Sequence, residues 1–361
     1  MTKGKVVVAM SGGVDSSVAA ALLKEQGYEV IGVTMQIWQA EGAEVEGGCC
    51  SLSAVEDARR VCHSLNVPHY VMNFRSLFEE KVIDYFVKEY IGGKTPNPCI
   101  ACNKYVKFEG LLDKARGLGA EYIATGHYAH IFYDKDKGRQ LLAKAKDSSK
   151  DQTYALYSFT QEQLAHTLLP LAEYEKTEIR EIAAKLGMRV ANKPDSQEIC
   201  FVTEDTYKEF IEERSGSEIK PGPFLDTEGK VLGTHKGLAF YTIGQRKGLG
   251  MTFGKPMYVV ELDPERNAVI LGQNEKVFSS GLTACDLNYI AIESLTEPLE
   301  VEVKIRYSAP LAKAVIYPEP GGKVRVEFEN LQRAVTPGQA VVFYQGDLVV
   351  GGGTIIQALK N

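Results

Sequence analysis

Seven consecutive residues, Ser11-Gly12-Gly13-Val14-Asp15-Ser16-Ser17, carry the clearest chemistry in the chain. Two glycines let the backbone approach a bulky anion with no side chain in the way. The serines open a segment whose N–H groups and positive dipole end face that anion. The matching guest is phosphate. The run is not a Walker A loop, because G-x-x-x-x-G-K-[ST] needs a lysine before the final hydroxyl residue and none stands here. Asp15 would repel phosphates unless a divalent cation sat between them, so the loop implies Mg²⁺. An ordinary βα turn without a ligand is the competing reading. The second chemical set is thiols. Cys99 and Cys102 form a C-x-x-C within Thr95-Pro96-Asn97-Pro98-Cys99-Ile100-Ala101-Cys102-Asn103-Lys104. The prolines rigidify the approach, and Cys102 is placed at the start of a helix, where the dipole favours a thiolate. Half a zinc site is one reading, but the vicinal Cys49-Cys50 has the wrong spacing to complete it. A thioredoxin-like dithiol is another, without the strand-to-helix pattern it needs. Cys200, in polar surroundings, is the expected third participant. Cys62 and Cys285 read as structural, and Cys49-Cys50 as idle, with a sulfur relay as the alternative.

These residues need elements to hold them. Lys5 to Met10 reads as a strand and Val18 to Gln26 as a helix ending at Gly27, so the phosphate loop is a strand-to-helix connection. Alternation continues through a strand at Glu29 to Met35, a helix at Ser53 to Leu65 with a Ser53/Glu56 capping box, and a strand at His69 to Phe74. Helices follow at Arg75 to Tyr90 and Tyr105 to Leu118, a strand at Glu121 to Thr125 and a helix at Lys176 to Leu186. Such alternation predicts an α/β fold with a doubly wound parallel sheet, whose ligands bind outside the carboxyl ends of the strands. The loop, Met35 and Gly126 all fall there. After a short helix near Asp205 to Glu213 the pattern turns to short alternating runs. These predict a small, mainly β middle domain and a C-terminal antiparallel β-barrel, with domains at 1–202, 203–280 and 281–361.

With 361 residues the chain has room for two or three domains. No signal peptide or membrane-length apolar run is seen, so a cytoplasmic protein without membrane contact is expected. Seven cysteines in that setting point to reduced thiols for chemistry or metal. A net charge of -6 argues against non-specific coating of nucleic acid. One basic segment, with Lys135, Lys137, Arg139, Lys144, Lys146 and Lys150, offers a local surface that by itself reads as a solvated hairpin.

The Ser11 to Ser17 run resembles the PP-loop of ATP pyrophosphatases, S-G-G-x-D-S, at every position. That resemblance implies adenylation of a substrate oxygen with release of pyrophosphate. Further segments extend it: Asn97-Pro98 to Cys102-Asn103, Ala124-Thr125-Gly126-His127-Tyr128-Ala129, Lys150-Asp151-Gln152-Thr153-Tyr154, Lys193 to Phe201, and Thr242 to Leu249. In this order they resemble the bacterial tRNA-specific 2-thiouridylase (MnmA/TrmU) family over essentially the whole chain. The resemblance implies ATP binding by Ala9, Met10, Ser11, Gly12, Gly13, Val14, Asp15, Ser16, Met35 and Gly126, with Asp15 also towards Mg²⁺. It implies Cys102 and Cys200 as the catalytic pair. Contacts to the tRNA anticodon stem-loop would fall on His127, Lys150, Asp151, Gln152, Arg306, Tyr307 and Gln345, with Asn97, Pro98 and Cys99 near the target base. In that light the basic segment becomes the edge of an anticodon-binding surface.

The implied reaction is ATP-dependent 2-thiolation of the wobble uridine, expected for Lys, Glu and Gln tRNAs. It would run through an O-adenylated uridine and release AMP and pyrophosphate. A cysteine desulfurase, with or without sulfur-carrier proteins, would supply the sulfur. One departure matters: the best-known members carry aspartate where this chain has Cys99. Three thiolates, Cys99, Cys102 and Cys200, suit a 4Fe-4S cluster with one iron open for hydrosulfide, and this is the favoured reading. The competing scheme puts a persulfide on Cys200 and ends in a Cys102-Cys200 disulfide. The segment bearing Cys200 is expected to order over the site when tRNA docks. The alternative function is a PP-loop amide ligase acting on a small metabolite. It would need an ammonia source, and no glutaminase-like domain is recognisable.

Overall fold

The computed structural model describes residues 2–38, 52–194, 199–202, 206–216, 219–252 and 254–360. Cys49-Cys50 and residues 195–198 lie outside them. The chain divides into two compact units, the first comprising Met1–Val82, Cys99–Thr203 and Asp347–Val349, the second the remainder.

The first unit is built on a five-stranded sheet of order β3-β2-β1-β4-β7. Its strands are β1 (Lys5–Ala9), β2 (Glu29–Gln36), β3 (His69–Asn73), β4 (Tyr122–Ala124) and β7 (Thr167–Leu168). All neighbours run parallel. Parallel strands are covered on both faces, and the centre of β1, Val6-Val7-Val8, is wholly buried as that demands. Helix α1 (Val14–Glu25) follows the loop and is buried almost all round, including Val18 and Leu23. Each of those side chains stabilises the unit by about 1.5–3 kcal/mol. Helix α2 (Leu52–Ser64) starts one residue ahead of the expected cap. Sequence order reverses between β1 and β4, so the crevice of this sheet lies beside the loop that leaves β1. The expected doubly wound parallel sheet is therefore observed. A hairpin of β5 (His130–Asp134) and β6 (Arg139–Ala143) carries Lys135, Lys137 and Arg139 of the basic segment, and Lys144, Lys146 and Lys150 follow it.

Two further helices begin earlier than expected: α1, at Val14 rather than Val18, and the helix that carries Cys99. The segment expected to begin at Tyr105 is already helical at Pro98–Ala101, passes through a wide π turn over Cys102–Gly110 and ends at Leu111–Gly117. Proline suits the first helical position, because its missing N–H would lack a partner there anyway. Cys102 is thus a full turn inside the helix, and Cys99 occupies its first turn.

The second unit contains two β structures. Strands β8 (Gly222–Asp226), β9 (Val231–His235), β10 (Tyr258–Asp263) and β11 (Ala268–Gly272) form a sheet of order β10-β11-β8-β9. Its core includes Phe224, Val259 and Leu271. Then β12 (Phe278–Tyr289), β13 (Leu299–Lys304), β14 (Ala312–Glu319), β15 (Lys323–Arg333), β16 (Ala340–Gln345) and β17 (Leu348–Leu359) follow. Antiparallel pairing of β12 with both β15 and β17 closes them into a barrel around Val303, Ile316, Val326 and Phe343. The expected middle β domain and antiparallel barrel are both present. Among the described residues no helix is long and apolar enough to cross a membrane.

Candidate active site

The loop between β1 and α1 is shaped by its own side chains. The Ser11 N–H donates to Ser16 Oγ at 3.2 Å, and Ser16 and Ser17 donate their hydroxyls to the Gly13 carbonyl at 3.2 and 2.8 Å. Buried Thr34 donates to the Met10 carbonyl at 3.0 Å and fixes the entry to the turn. Gly12 adopts φ of +71°, and a Cβ there would collide with the Ala54 carbonyl. Gly126, just past β4, is equally constrained, since a Cβ on it would lie 2.7 Å from the Asp15 carbonyl carbon. Ala9 thus ends β1, Ser11 and Gly13 form the turn, and Val14 and Ser16 open α1, with Gly126 packed on its first residues. Met35 lies half-buried near the end of β2.

Asp15 sits in the first turn of α1. Lys176 Nζ donates to both of its carboxylate oxygens at 2.7 Å, and the Tyr128 hydroxyl donates to Oδ1 at 2.8 Å. Tyr128 is braced in turn by Gln152, which accepts its N–H at 2.9 Å and donates its own N–H to the Tyr128 carbonyl at 3.0 Å. Lys176 opens helix α3 (Lys176–Lys185), whose start is fixed by a reciprocal Glu175/Glu178 capping box. Asp147 accepts the Lys176 N–H at 3.0 Å and the Ser149 hydroxyl at 2.6 Å. Burial pushes the Asp147 carboxyl up, but the bonds from Ser149 and Lys176 outweigh it and hold it below its usual range. Lys193 crosses to the other flank, donating to the Gly12 carbonyl at 3.0 Å and to Asp57 at 2.9 Å. Lys176, Tyr128 and Lys193 were not singled out from sequence. The Glu175/Glu178 spacing was the available signal for Lys176, whereas Tyr128 and Lys193 lay inside segments noted for other residues.

The thiols are arranged differently. Cys102 is buried and Cys99 accessible at the surface, although the surrounding protein pushes the Cys99 thiol above its usual range against the nearby Lys107 charge. The helix start therefore does not produce a depressed thiol at Cys99. Asn103 Nδ2 donates to the Ala155 carbonyl at 3.0 Å, leaving its buried Oδ1 without a protein partner. Such an acceptor costs about 1–3 kcal/mol unless a substrate donor satisfies it. Cys200 is half-buried, and the adjacent Phe201 ring is seated edge-on against Phe78 at 5.6 Å and Trp38 at 6.4 Å. Cys62 is fully buried, its thiol pushed up to about 11 by that burial, in keeping with a structural role.

A magnesium ion carried mainly by substrate phosphates needs one or two carboxylates, and Asp15 can supply one. A cluster would need its three thiolates to meet. Among the described residues, which include Cys99, Cys102 and Cys200, no three His, Cys, Asp or Glu side chains are gathered as metal ligands.

Several residues expected to touch RNA are engaged within the protein. Asp151 accepts the Thr153 N–H at 3.1 Å and its hydroxyl at 2.8 Å. His127 Nδ1 lies 2.7 Å from Thr125 Oγ1, and burial, helped by Lys107, lowers its pKa to about 3, so the ring is neutral near pH 7. Arg306 donates to the carbonyls of Arg333 and Ala334 at 3.1 and 2.9 Å, and Gln345 to that of Glu300 at 3.2 Å. Tyr307 is exposed beneath the Lys304 ammonium, 5.4 Å from the ring centre. In the basic segment Lys144 pairs with Asp347 and Lys146 with Glu178, while Lys135 and Lys137 are exposed at the hairpin turn. Asn97 and Pro98 precede Cys99 and belong to the second unit.

Three family models match the chain in order. A tRNA methyl transferase HUP domain covers residues 4–204, a tRNA methyl transferase PRC-barrel domain 208–273 and an aminomethyltransferase beta-barrel domain 279–355. A tRNA-specific 2-thiouridylase MnmA of Acetivibrio thermocellus is 62% identical over 358 residues, spanning 98% of this chain and 100% of the relative. Its counterpart in Moorella thermoacetica is 63% identical over 351 residues, 97% of this chain and 98% of the relative. That of Clostridioides difficile is 58% identical over 356 residues, 98% and 99% of the two chains.

Proposed function

The chain belongs to the tRNA-specific 2-thiouridylase family, and from that premise we propose that it transfers sulfur to C2 of the wobble uridine of tRNA at the expense of ATP. The observation that carries the reading is the loop between β1 and α1. Gly12 packs on the Ala54 backbone and Gly126 on the first residues of α1, so the chain turns tightly into a helix start that would attract phosphates, with Asp15 in its first turn. Two of the matching domain descriptions speak of methyl transfer, but a glycine turn that opens a helix supports an ATP substrate. The relatives matched along their whole length are thiouridylases.

The uridine, turned out of the anticodon loop, presents its 2-carbonyl oxygen to the α-phosphorus. An oxygen–phosphorus bond forms, the α–β phosphoanhydride breaks, and pyrophosphate leaves past the loop. Mg²⁺ held by Asp15 would offset charge on the departing phosphates. The terminal sulfur of a Cys200 persulfide then attacks C2. The Cys102 thiolate attacks Cys200 Sγ, breaking the sulfur–sulfur bond. The transferred sulfur stays on C2, AMP leaves, and a Cys102–Cys200 disulfide remains for an external dithiol to reduce. Water must be kept out, because it would return uridine. A cysteine desulfurase or sulfur carrier would load Cys200. The second unit, with Arg306 and exposed Tyr307 on its barrel, would grip the RNA.

The test is nucleoside mass spectrometry after incubation with ATP, a persulfide donor and unmodified tRNA, with iron measured on the same sample. Wobble 2-thiouridine formed one for one with AMP by iron-free protein supports the proposal. ATP turnover indifferent to RNA, without thiouridine, would instead support a small-metabolite ligase. Activity that tracks about four irons would restore the cluster.

A further inference from the structure

The phosphate loop has no lysine of its own, yet a lysine 161 residues further along the chain is delivered onto its aspartate. Lys176 occupies the first position of α3, where a helix disfavours a cation because its positive dipole end lies there. Its side chain is only 11% exposed, a burial that lysine tolerates when paired. Three carboxylates compensate: Glu175 and Glu178 in the capping box, and Asp147 on its N–H. So much local support for a lysine in an unfavourable position indicates a task beyond opening a helix.

We infer that Lys176 is a phosphate-binding residue, held on Asp15 in the free enzyme and transferred to the triphosphate when ATP fills the loop. The inference rests on the reading that this loop takes ATP. Asp15 lies in the first turn of α1, where the phosphates would sit, so a triphosphate arriving there meets a carboxylate already neutralised. The ammonium is also 5.8 Å from the centre of the Tyr128 ring. That contact keeps the cation supported as it leaves the carboxylate, while the Tyr128 hydroxyl still donates to Asp15 Oδ1. Lys176 so fills the role that a Walker lysine fills within its own loop, from a different part of the chain.

The test is equilibrium binding of ATP and of adenosine, without tRNA or sulfur donor, to wild type, Lys176→Met and Lys176→Arg. Lys176→Met should weaken ATP at least tenfold and leave adenosine within twofold. Lys176→Arg should recover part of the loss. Should Lys176→Met fail to fold, Lys176→Gln, which keeps a donor for Asp15 without the charge, is held to the same criterion. Unchanged ATP affinity, or equal losses for ATP and adenosine, overturns the inference and leaves Lys176 a structural clamp. Wild type that binds ATP no better than adenosine overturns the ATP reading itself. Failure of thiolation with the ATP result intact touches only the sulfur chemistry.

Discussion

The phosphate loop and the thiols sit in the same unit and are prepared to different degrees. Around the loop, Ser16, Ser17, Thr34, Tyr128, Lys176 and Lys193 all make hydrogen bonds that set its shape or its charge. Around the thiols, Cys99 and Cys102 ride on one helix, Cys200 lies on a separate segment anchored by Phe201, and the three do not form a ligand set. A nucleotide site can be preformed safely, because ATP without its acceptor does little. A persulfide beside an activated base is different, since premature assembly exposes a reactive sulfur to other thiols and to water. The contrast supports an order of events in which adenylation does not depend on the cysteines.

The sharpest way to break the contrast is to remove the sulfur chemistry alone. Cys102→Ala and Cys200→Ala should each lower thiolation at least about 1000-fold, as loss of a nucleophile does, with ATP affinity unchanged. Loss of ATP binding in either variant would mean that the two halves are one. Cys99→Ala should retain activity within about tenfold if that thiol is incidental, measured in the same assay.

The converse change strikes the loop. In Gly12→Ala a Cβ meets the Ala54 carbonyl at a left-handed backbone position, so ATP binding should weaken by about 1–3 kcal/mol, read by titration. Persulfide loading of Cys200 from a donor should continue at the wild-type rate.

A smaller effect follows from His127. Its pKa is about 3 in the folded protein against an ordinary 6.5, so between those values the unfolded chain binds the extra proton. Its contribution to stability is complete above about pH 6.5 and is lost as pH falls towards 3. Melting temperatures of His127→Gln should therefore fall less steeply than wild type across that window.

The smallest change concerns the barrel. If Arg306 meets a phosphate of the RNA, Arg306→Met should weaken all tRNA substrates alike and reduce the salt slope of binding by about one. An unchanged slope would confine Arg306 to bracing the Arg333 and Ala334 carbonyls.

What was legible in the sequence follows the same division. Local patterns sufficed for β1, the glycine turn and α1, because apolar runs and glycine have local conformational consequences. Alternation of strands and helices likewise sufficed for the parallel sheet. The partner of Asp15 was not legible, since a contact between residues 15 and 176 is made by the fold. The start of the Cys99 helix was misplaced because Pro98 reads as a breaker in sequence and as a first helical residue in the structure. Grouping Cys99, Cys102 and Cys200 rested on the C-x-x-C spacing, the polar setting of Cys200 and the family resemblance, none of which carries a distance between the two segments.

The most direct measurement is pyrophosphate and AMP release by Cys200→Ala supplied with ATP and unmodified tRNA but no sulfur donor. The account predicts tRNA-dependent pyrophosphate release close to that of wild type, followed by AMP as water returns the adenylated base to uridine, with no 2-thiouridine formed. Absence of tRNA-dependent pyrophosphate release from this variant, while wild type releases it, would contradict a nucleotide half that is complete without the cysteines.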